Sequence, residues 1–392
     1  MKRVLIITPF PLAQNPRAYK EYNLLKENNF NVKVVYAERD KWASSISLNN
    51  DDFILVGGKF GSYFYQFTRI FSKISKPFLP LELTYNRASF FLFVYAYFYK
   101  ADLYIGHNLA ALPITVLAAE RNKAKSGFDA EDFHRNETSD STNDSSYIIA
   151  KKIEDKYLSR CSYNVVASPL IKQAYQKLYP SINTVVINNV FEKRYLQGAK
   201  NGQNDVLKLF WFSQTIGEKR GIEEVIEALN LLNNKKIELH LLGKSNKQIE
   251  DYFLGLKSTD HINIYFYSPI SPDQIFSFAS NFDIGLALEV GKPFNRDICL
   301  TNKIFSYLTS GLAIVASDTK AQTKFLADNY GVGFIYPTGD IEKLAELINN
   351  FFVDRSFLYH TKAQSISLAK ATFNWEKESK LLMGLINEII KS

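Results

Sequence analysis

The chain has 392 residues, of which 46% are hydrophobic, 22% charged and 14% aromatic. This length suits two folded domains rather than one compact core, and the composition excludes an intrinsically disordered chain. The formal net charge is +7, and the first hundred residues carry all of it, with 14 Lys and Arg against 7 Asp and Glu. That excess predicts contact with an anionic surface, whereas nucleic acid is not expected as a partner.

Strands and helices alternate through the first half of the chain. The predicted elements are strands at 4–8, 31–36 and 102–105 and helices at 19–26 and 113–121. Short apolar strands that alternate with helices indicate a parallel sheet. The first half therefore predicts a Rossmann-like domain over residues 1–196.

Polar residues follow these strands at their carboxyl ends, where parallel sheets bind ligands. Asn15 and Arg17 come after the first strand, and His107 with Asn108 comes after the strand at 102–105. A structural histidine is the alternative interpretation. No GxGxxG motif is present, which weakens a dehydrogenase interpretation.

An acidic stretch, FDAEDFH at 128–134, follows another candidate strand. Its carboxylates either face a ligand or belong to a charged loop that caps a helix, and the sequence leaves open which of them faces a ligand.

Residues 61–100 are rich in aromatic and basic side chains, and 89–99 is their most apolar run. Such a run is too short to cross a bilayer as a helix, which takes about 20 residues. An interfacial helix on an anionic membrane and a buried core helix both fit this composition. We predict peripheral contact of residues 61–100 with the inner face of the cytoplasmic membrane.

The cysteines and the N-terminus indicate a reducing compartment. Cys161 and Cys299 lie far apart and lack the spacing of metal ligands, so free thiols are expected. The apolar run at 4–7 is much too short for the hydrophobic part of a signal peptide. The sequence therefore predicts a cytoplasmic protein without a bound metal.

The composition changes at 197–205, a polar, glycine-bearing stretch that we interpret as an interdomain linker. A second αβ series follows it. The predicted elements are strands at 207–212, 237–242, 262–267, 284–288 and 312–316, a helix at 222–232 and an amphipathic terminal helix at 373–390. This series predicts a second Rossmann-like domain over residues 206–370.

Two turns of the second domain place charged residues at helix N-termini, where free amide groups attract anions. Lys219 and Arg220 precede one helix and are suited to clamp a diphosphate. Glu289 follows a buried strand, and Thr301 or Asn302 is expected to cap the next helix. An ordinary crossover with a solvated, charged loop is the alternative interpretation.

The stretch 283–318 resembles the donor-binding region of the family-four retaining glycosyltransferases (glycosyl transferases group 1), which have the GT-B fold. In that family an acidic residue after a strand precedes an NK-x-F-E-Y-L helix, a glycine and an apolar strand. The residues that match are Glu289, Asn302, Lys303, Phe305, Tyr307, Leu308 and Gly311. Ser306 stands where the family has a second acidic residue, which contacts the donor ribose.

The turn at 213–221 resembles the same family. Arg220 matches its basic residue at the helix start, whereas Gln214 stands where a first arginine is usual. Lys219 or Lys303 would supply the missing charge. Gly243 and Tyr267 match the family's nucleobase-binding wall, where Tyr267 would stack on the base; a core aromatic is the alternative interpretation of Tyr267.

The resemblance implies an α/β protein with the GT-B fold. In this fold two Rossmann-like domains, each with a parallel sheet, face a central cleft. The last helix, 373–392, would pack back on the first domain. It implies a nucleotide diphosphate sugar as donor substrate, no cofactor and no metal. The acceptor would be a saccharide or a lipid-linked saccharide of a bacterial surface polysaccharide. The implied activity is that of a hexosyltransferase that retains the anomeric configuration.

The resemblance also implies roles for individual residues. Glu289 would hold the donor sugar, and His107 and Asp129 would line the acceptor side of the reacting centre. Asn15, Arg17 and Asn108 would face the acceptor.

Two other functions remain open. A nucleotide-sugar epimerase of similar fold would release an altered sugar without any acceptor. A noncatalytic partner subunit, suggested by Gln214 and Ser306, would bind the donor weakly or not at all.

Overall fold

The computed structural model describes residues 1–38, 51–198, 205–232, 236–259 and 262–391. The chain divides into two compact units. The N-terminal unit comprises Met1–Asn188 and Ser379–Ser392, and the C-terminal unit comprises Asn189–Glu378. The predicted linker at 197–205 lies mostly outside the described residues.

The N-terminal unit is built around one parallel sheet. Its described strands are β1 (Arg3–Thr8), β2 (Asn31–Tyr36), β3 (Phe53–Leu55), β4 (Leu103–His107), β5 (Lys125–Ala130), β6 (Tyr163–Val166) and β7 (Thr184–Val186). Its described helices are α1 (Pro16–Glu27), α2 (Tyr63–Ser75), α3 (Leu81–Thr84), α4 (Ser89–Phe98), α5 (Leu112–Asn122), α6 (Ser145–Tyr157) and α7 (Pro169–Leu178). The sheet order is β3-β2-β1-β4-β5-β6-β7.

The C-terminal unit repeats this architecture. Its described strands are β8 (Leu207–Thr215), β9 (Ile237–Lys244), β10 (Asn263–Tyr267), β11 (Ile284–Ala287), β12 (Ala313–Ser317) and β13 (Gly333–Tyr336), in the order β10-β9-β8-β11-β12-β13. Its described helices are α8 (Ile222–Leu231), α9 (Lys247–Gly255), α10 (Ile275–Ala279), α11 (Phe294–Ile298), α12 (Asn302–Ser310), α13 (Lys320–Asp328), α14 (Ile341–Val353) and α15 (Arg355–Ala371). The last helix, α16 (Trp375–Lys391), begins in the C-terminal unit and from Ser379 onward belongs to the N-terminal unit.

Buried apolar residues explain why the central strands form. β11 and β12 are buried along their whole length, as expected for strands that helices cover on both faces. Tyr307 of α12 packs over Gly285 so closely that a Cβ there would lie 2.3 Å from the tyrosine ring.

Within the described part of the chain, no helix combines the length and the apolar character that crossing a bilayer requires.

The strand order reverses once in each sheet. β1 has β2 on one side and β4 on the other, so the connections from these strands leave in opposite directions. The equivalent reversal in the C-terminal unit lies at β8 and β11. In sheets of this kind a crevice opens at the carboxyl ends of the two strands, and ligands bind there. We call these two places the N-terminal and the C-terminal switch points.

The two parallel sheets confirm the predicted α/β class with two Rossmann-like domains. The strand at 31–36 has the predicted bounds, and the predicted strand at 102–105 extends further. His107 therefore lies inside β4 and not after it, which corrects the sequence prediction. The strands β3, β6, β7 and β13 are absent from the prediction, because each has only three or four residues and therefore little sequence pattern.

Candidate functional site

A close approach between two turns forms the C-terminal switch point. Gly221 precedes α8 with φ +80°, in the left-handed region that glycine adopts readily. A Cβ atom on Gly221 would lie 2.9 Å from Cβ of Leu288, the residue that follows β11. Glycine therefore lets the turn after β8 approach the carboxyl end of β11.

The turn before α8 carries two exposed cations. Arg220 Nη1 donates a 2.6 Å hydrogen bond to Ser213 Oγ, and the backbone N–H of Lys219 donates to Glu223 Oε1 at 2.7 Å. Arg220 pairs with no carboxylate among the residues that the structure describes, so its other N–H groups can bind an anion. The free amide groups at the start of α8 add to this positive edge.

Glu289 follows β11 at the same edge of the sheet. Its backbone N–H donates to Ser317 Oγ at 2.8 Å, and that hydroxyl donates to the Glu289 carbonyl oxygen at 2.8 Å. Its carboxylate accepts a 2.5 Å hydrogen bond from Lys303 Nζ. The sequence predicts separate roles for Glu289 and Lys303, whereas the structure pairs them, so that Lys303 balances the carboxylate charge.

The start of α12 differs from the expected cap. Thr301 occupies the N-cap position, but its hydroxyl makes no capping hydrogen bond, and Asn302 is exposed at the first helical position. Ser306 is 3% exposed, and its hydroxyl donates to the Asn302 carbonyl oxygen at 2.9 Å. The hydroxyl at the position of the family's ribose-contacting acidic residue is therefore engaged within its own helix.

Three further residues of the predicted donor site lie along this sheet. Gln214 is exposed near the end of β8. Gly243 lies near the end of β9, where a Cβ atom would be 2.6 Å from the carbonyl oxygen of Ser213. Tyr267 ends the edge strand β10, with its hydroxyl 3.0 Å from His240 Nδ1. Gln214 thus lies on a strand of the switch point, Gly243 on the neighbouring strand, and Tyr267 on the edge strand beyond it.

A buried network of charges fills the N-terminal switch point. His107 of β4 and Asp129 of β5 are register partners, so their side chains lie on the same face of the sheet. His107 is fully buried, with Nε2 2.7 Å from Glu21 Oε2 and Nδ1 3.3 Å from Glu131 Oε1. Both ring nitrogens therefore have carboxylate partners, an arrangement that suits a positioning role better than contact with a substrate.

Arg17 of α1 makes a bidentate pair with Asp129. The distances are 2.9 Å from Nε to Oδ2 and 3.1 Å from Nη2 to Oδ1, and Nη1 donates to the Ile187 carbonyl oxygen at 2.9 Å. Each of the two charged residues is 7% exposed. A planar guanidinium that binds a carboxylate with two bonds in this way holds it in one orientation.

Asn15 connects the same network to the end of β4. Its Oδ1 caps α1 by accepting from the Ala18 N–H, and its Nδ2 donates to Glu131 Oε1 at 2.8 Å and to Asn108 Oδ1 at 3.3 Å. Asn108 has φ +64°, a conformation that asparagine tolerates. The three predicted acceptor-side residues, Asn15, Arg17 and Asn108, are thus brought together with His107 and Asp129.

The network contains three carboxylates and only two cations. Burial disfavours an imidazolium, but hydrogen bonds to Glu131 and Glu21 outweigh it and raise the pKa of His107 to about 10. Burial also raises the pKa of Asp129 to about 6, against the opposing attraction of Arg17. His107 is therefore positively charged at neutral pH and offsets the excess of carboxylates.

Glu21 and Ser317 hold site residues in place and are absent from the sequence prediction. Glu21 follows Arg17 by one helical turn, on the face of α1 that buries Ala18 and Leu25. The opposite charges of Arg17 and Glu21, at i and i+4 on the buried face of a helix, could have been used to predict a buried ion network. Ser317 offered no such signal, because a serine at a strand end is common in loops of every kind.

The whole chain is similar in structure to several solved proteins. Sucrose-phosphate synthase from Thermosynechococcus elongatus matches with a TM-score of 0.70 and 14% identity over 100% of both chains. A glycosyltransferase from Rickettsia africae matches with 0.69 and 14% over 100% of this chain and 99% of its own. HepE from Anabaena in complex with UDP matches with 0.71 and 14% over 99% of this chain and 100% of its own.

No protein family model matches the sequence, and no curated protein matches it. The structural similarities, at 14% identity, show that the chain has the GT-B fold.

Proposed function

We propose that the protein is a glycosyltransferase that takes a sugar from a nucleoside diphosphate and transfers it to a saccharide or lipid-linked acceptor. The observation that carries this proposal is the C-terminal switch point, where the exposed Arg220 and the helix amides lie beside Glu289 and Lys303. Solved structures of the same fold include HepE bound to UDP and to UDP-glucose. We extend the proposal to a hexosyltransferase of bacterial surface polysaccharide synthesis.

The proposed reaction follows from the charges at this site. The bond between the anomeric carbon and the diphosphate oxygen breaks, and the acceptor hydroxyl oxygen bonds to the same carbon. The hydroxyl proton passes to the departing diphosphate. Arg220 and the α8 amides stabilise the negative charge on the diphosphate, and Lys303 keeps Glu289 positioned for the sugar hydroxyls. In this proposal the reaction retains the anomeric configuration and requires no metal ion or other cofactor.

Thermal unfolding against UDP, GDP, ADP and CMP and their sugar conjugates tests the proposal. A ligand at 100 times its Kd stabilises a protein by about 2.7 kcal/mol, which raises Tm by roughly 5–10 °C for a unit of this size. The expected result is a rise confined to one base and lost in Arg220→Ala. A protein that no nucleotide stabilises at millimolar concentration would favour a noncatalytic partner subunit, and sugar conversion without any acceptor would favour an epimerase.

An exposed apolar and basic surface on α2 supports the further proposal that the acceptor lies at the cytoplasmic membrane. Tyr63, Phe67, Ile70 and Ile74 recur at helical spacing and are 96%, 52%, 58% and 64% exposed. Arg69 and Lys73 lie among them, and Lys76 follows at the C-terminal end of the helix. We call these seven residues the α2 stripe. Apolar residues that flank basic ones on one helix suit an anionic bilayer surface.

The apolar run at 89–99 corresponds to α4, which is mostly half-buried. Phe90 packs against Phe71 at 5.1 Å between ring centroids, and Phe91 packs against Phe64 at 5.4 Å. The membrane contact that we propose through 61–100 is therefore assigned to the α2 stripe rather than to α4.

Sedimentation with vesicles that contain phosphatidylglycerol tests this contact. The triple substitution Phe67→Ser, Ile70→Ser and Ile74→Ser is expected to abolish co-sedimentation. The matched control is Tyr330→Ser with Val353→Ser, which removes apolar side chains that are 93% and 67% exposed elsewhere. Equal sedimentation of both variants would contradict the proposal.

A further inference from the structure

The polypeptide between β11 and α12 carries Glu289 near its start and the short helix α11 near its end. We call residues 289–301 the Glu289 segment. Lys303 fixes the Glu289 carboxylate, but the path of the main chain decides where that side chain begins. Residues 317–322, at the end of β12 and the start of α13, contact this segment at two places. These contacts therefore bear on the position of Glu289 without involving its carboxylate.

The Ser317 hydroxyl uses its whole hydrogen-bonding capacity, which is one proton to donate and two lone pairs that accept. It accepts from the Glu289 N–H at 2.8 Å and from Gln322 Nε2 at 3.1 Å. Because both lone pairs are occupied, the proton points to a carbonyl oxygen at the end of β11. That of Glu289, at 2.8 Å, is nearer than that of Ala287, at 3.4 Å. Gln322 therefore directs the hydroxyl so that it binds both main-chain groups of Glu289.

Gln322 is fully buried and uses only the nitrogen of its side-chain amide. Nε2 donates to the Ser317 carbonyl oxygen at 2.9 Å as well as to the Ser317 hydroxyl. Oε1 is buried and has no hydrogen-bond partner among the residues that the structure describes. A buried acceptor without a partner is destabilising, and an apolar side chain of similar size would avoid that cost. Stability alone therefore does not account for an amide at this position, whereas its contact with Ser317 does.

Asp297 connects the later part of the Glu289 segment to the same residues. Its Oδ1 accepts from the backbone N–H of Lys320 at 2.8 Å, and its Oδ2 accepts from Lys320 Nζ at 2.6 Å. A carboxylate with two such bonds, one of them to the main chain, is held in one orientation. The Glu289 segment is thus fixed at Glu289 through Ser317 and at Asp297 through Lys320.

We propose that Ser317 and Gln322 are positioning residues that set the affinity of the site for the sugar of the donor and leave its affinity for the diphosphate unchanged. Ser317 binds the main chain of Glu289, which holds the sugar hydroxyls, and Gln322 binds Ser317. The diphosphate is assigned to Arg220, whose described partner is Ser213 of β8. The inference rests on the proposed function and deepens it, because it separates the residues that select the sugar from those that bind the phosphates.

Hydrogen exchange without any ligand tests the positioning. Gln322→Leu is expected to speed amide exchange at residues 289–299 by at least about tenfold and to leave residues 207–212 of β8 at the wild-type rate. The matched control for Ser317→Ala is Ser280→Ala, which removes an equally buried hydroxyl bonded to the Ser277 carbonyl oxygen at 2.8 Å. Ser317→Ala should speed exchange at 289–299, and Ser280→Ala should not. Unchanged exchange at 289–299 in Gln322→Leu, or equally faster exchange in β8, would overturn the inference.

Calorimetric titration with a nucleoside diphosphate and its sugar conjugate tests the consequence for binding. The probe pairs are UDP with UDP-glucose, GDP with GDP-mannose and ADP with ADP-glucose. In the pair that binds, Gln322→Leu is expected to weaken the sugar conjugate by at least about fivefold and to keep the free diphosphate within about twofold. Arg220→Ala is expected to weaken both members alike. Equal effects of Gln322→Leu on both members, or none on either, would overturn the inference.

The same two experiments distinguish failure of this inference from failure of the proposed function. A wild type that binds a probe pair, with Gln322→Leu affecting both members alike, would lose this inference alone. A wild type that binds no probe would lose the proposed function and the sugar-selective role with it, and faster exchange at 289–299 in Gln322→Leu would then leave a purely structural contact.

Discussion

The two switch points occupy the same position in their sheets and use charge in opposite ways. In the N-terminal unit Arg17 and His107 are buried against carboxylates, and in the C-terminal unit Arg220 is exposed with a hydroxyl as its described partner. Charges that satisfy one another hold the chain in place, whereas a charge that faces solvent can bind a ligand. The shared topology therefore does not imply a shared role.

Desolvation explains this division. A buried ion is costly unless opposite charges and hydrogen bonds surround it, so the N-terminal network is sensitive to the loss of any member. An exposed ion contributes little to folding but keeps its full interaction for an anion that displaces water. Substitutions at the two places should consequently affect different measurements.

The largest expected effect is on stability, from Arg17→Met. This change leaves the Asp129 carboxylate buried without its bidentate partner. Breaking a buried pair costs about 3–5 kcal/mol, so the free energy of unfolding measured in urea should fall by that amount. Lys177→Met, which removes an exposed cation of α7, is the control and should change it by less than about 0.5 kcal/mol. A loss below about 1 kcal/mol for Arg17→Met would contradict the structural role of the network.

The second effect is on ligand binding, from Arg220→Ala. Loss of a charged hydrogen bond costs about 1.5–3 kcal/mol, which corresponds to a roughly 10- to 150-fold weaker Kd for the nucleotide that binds. Stability should change by less than about 0.5 kcal/mol. Lys236→Ala removes an exposed cation just before β9, at the amino ends of the strands, whereas Arg220 lies at their carboxyl ends. This control should leave the Kd unchanged. Equal affinity of Arg220→Ala and the wild type would place the diphosphate elsewhere.

The third effect depends on pH and concerns His107. Its pKa is about 10 in the folded protein and near 6.5 when unfolded. Because the pKa of His107 is higher in the folded protein, protonated His107 adds to the free energy of unfolding. This contribution is fully present below pH 6.5 and is lost as the pH rises through 10. The difference in unfolding free energy between the wild type and His107→Gln should therefore shrink by at least about 1 kcal/mol between pH 7 and 9.5. A constant difference across this range would mean that His107 is neutral in the fold.

The smallest effect is expected from Ser306→Ala. The Ser306 hydroxyl donates to the Asn302 carbonyl oxygen within α12, so its removal should change nucleotide affinity by less than about threefold. Calorimetric titration of the variant checks this. A tenfold loss would show that the hydroxyl leaves its helix and contacts the ligand.

The sequence predicts the strands and turns of each unit better than it predicts which charged side chains pair with one another. The short apolar runs at 31–36 and 284–288 identify strands, because such runs between helices are typical of a buried parallel sheet. The turn cations at Lys219 and Arg220 are also predictable, because glycine and a following amphipathic helix mark the turn.

The pairing of charges within each site depends on tertiary register. His107 meets Asp129 because β4 and β5 pair at that position, and Glu21 joins them from α1, more than eighty residues before His107. The pairing of Lys303 with Glu289 likewise depends on where α12 returns to the end of β11. Such distances between side chains on separate elements carry no local sequence signal.

Hydrogen exchange measured with and without a saturating nucleoside diphosphate tests most directly which switch point holds the ligand. We expect bound nucleotide to slow amide exchange at residues 217–222 and 289–303 in the C-terminal unit and to leave residues 103–131 unchanged. The opposite result is slower exchange at 103–131 and unchanged exchange at 217–222. It would contradict the assignment of the exposed Arg220 to donor binding and of the buried charge network to stabilising the fold.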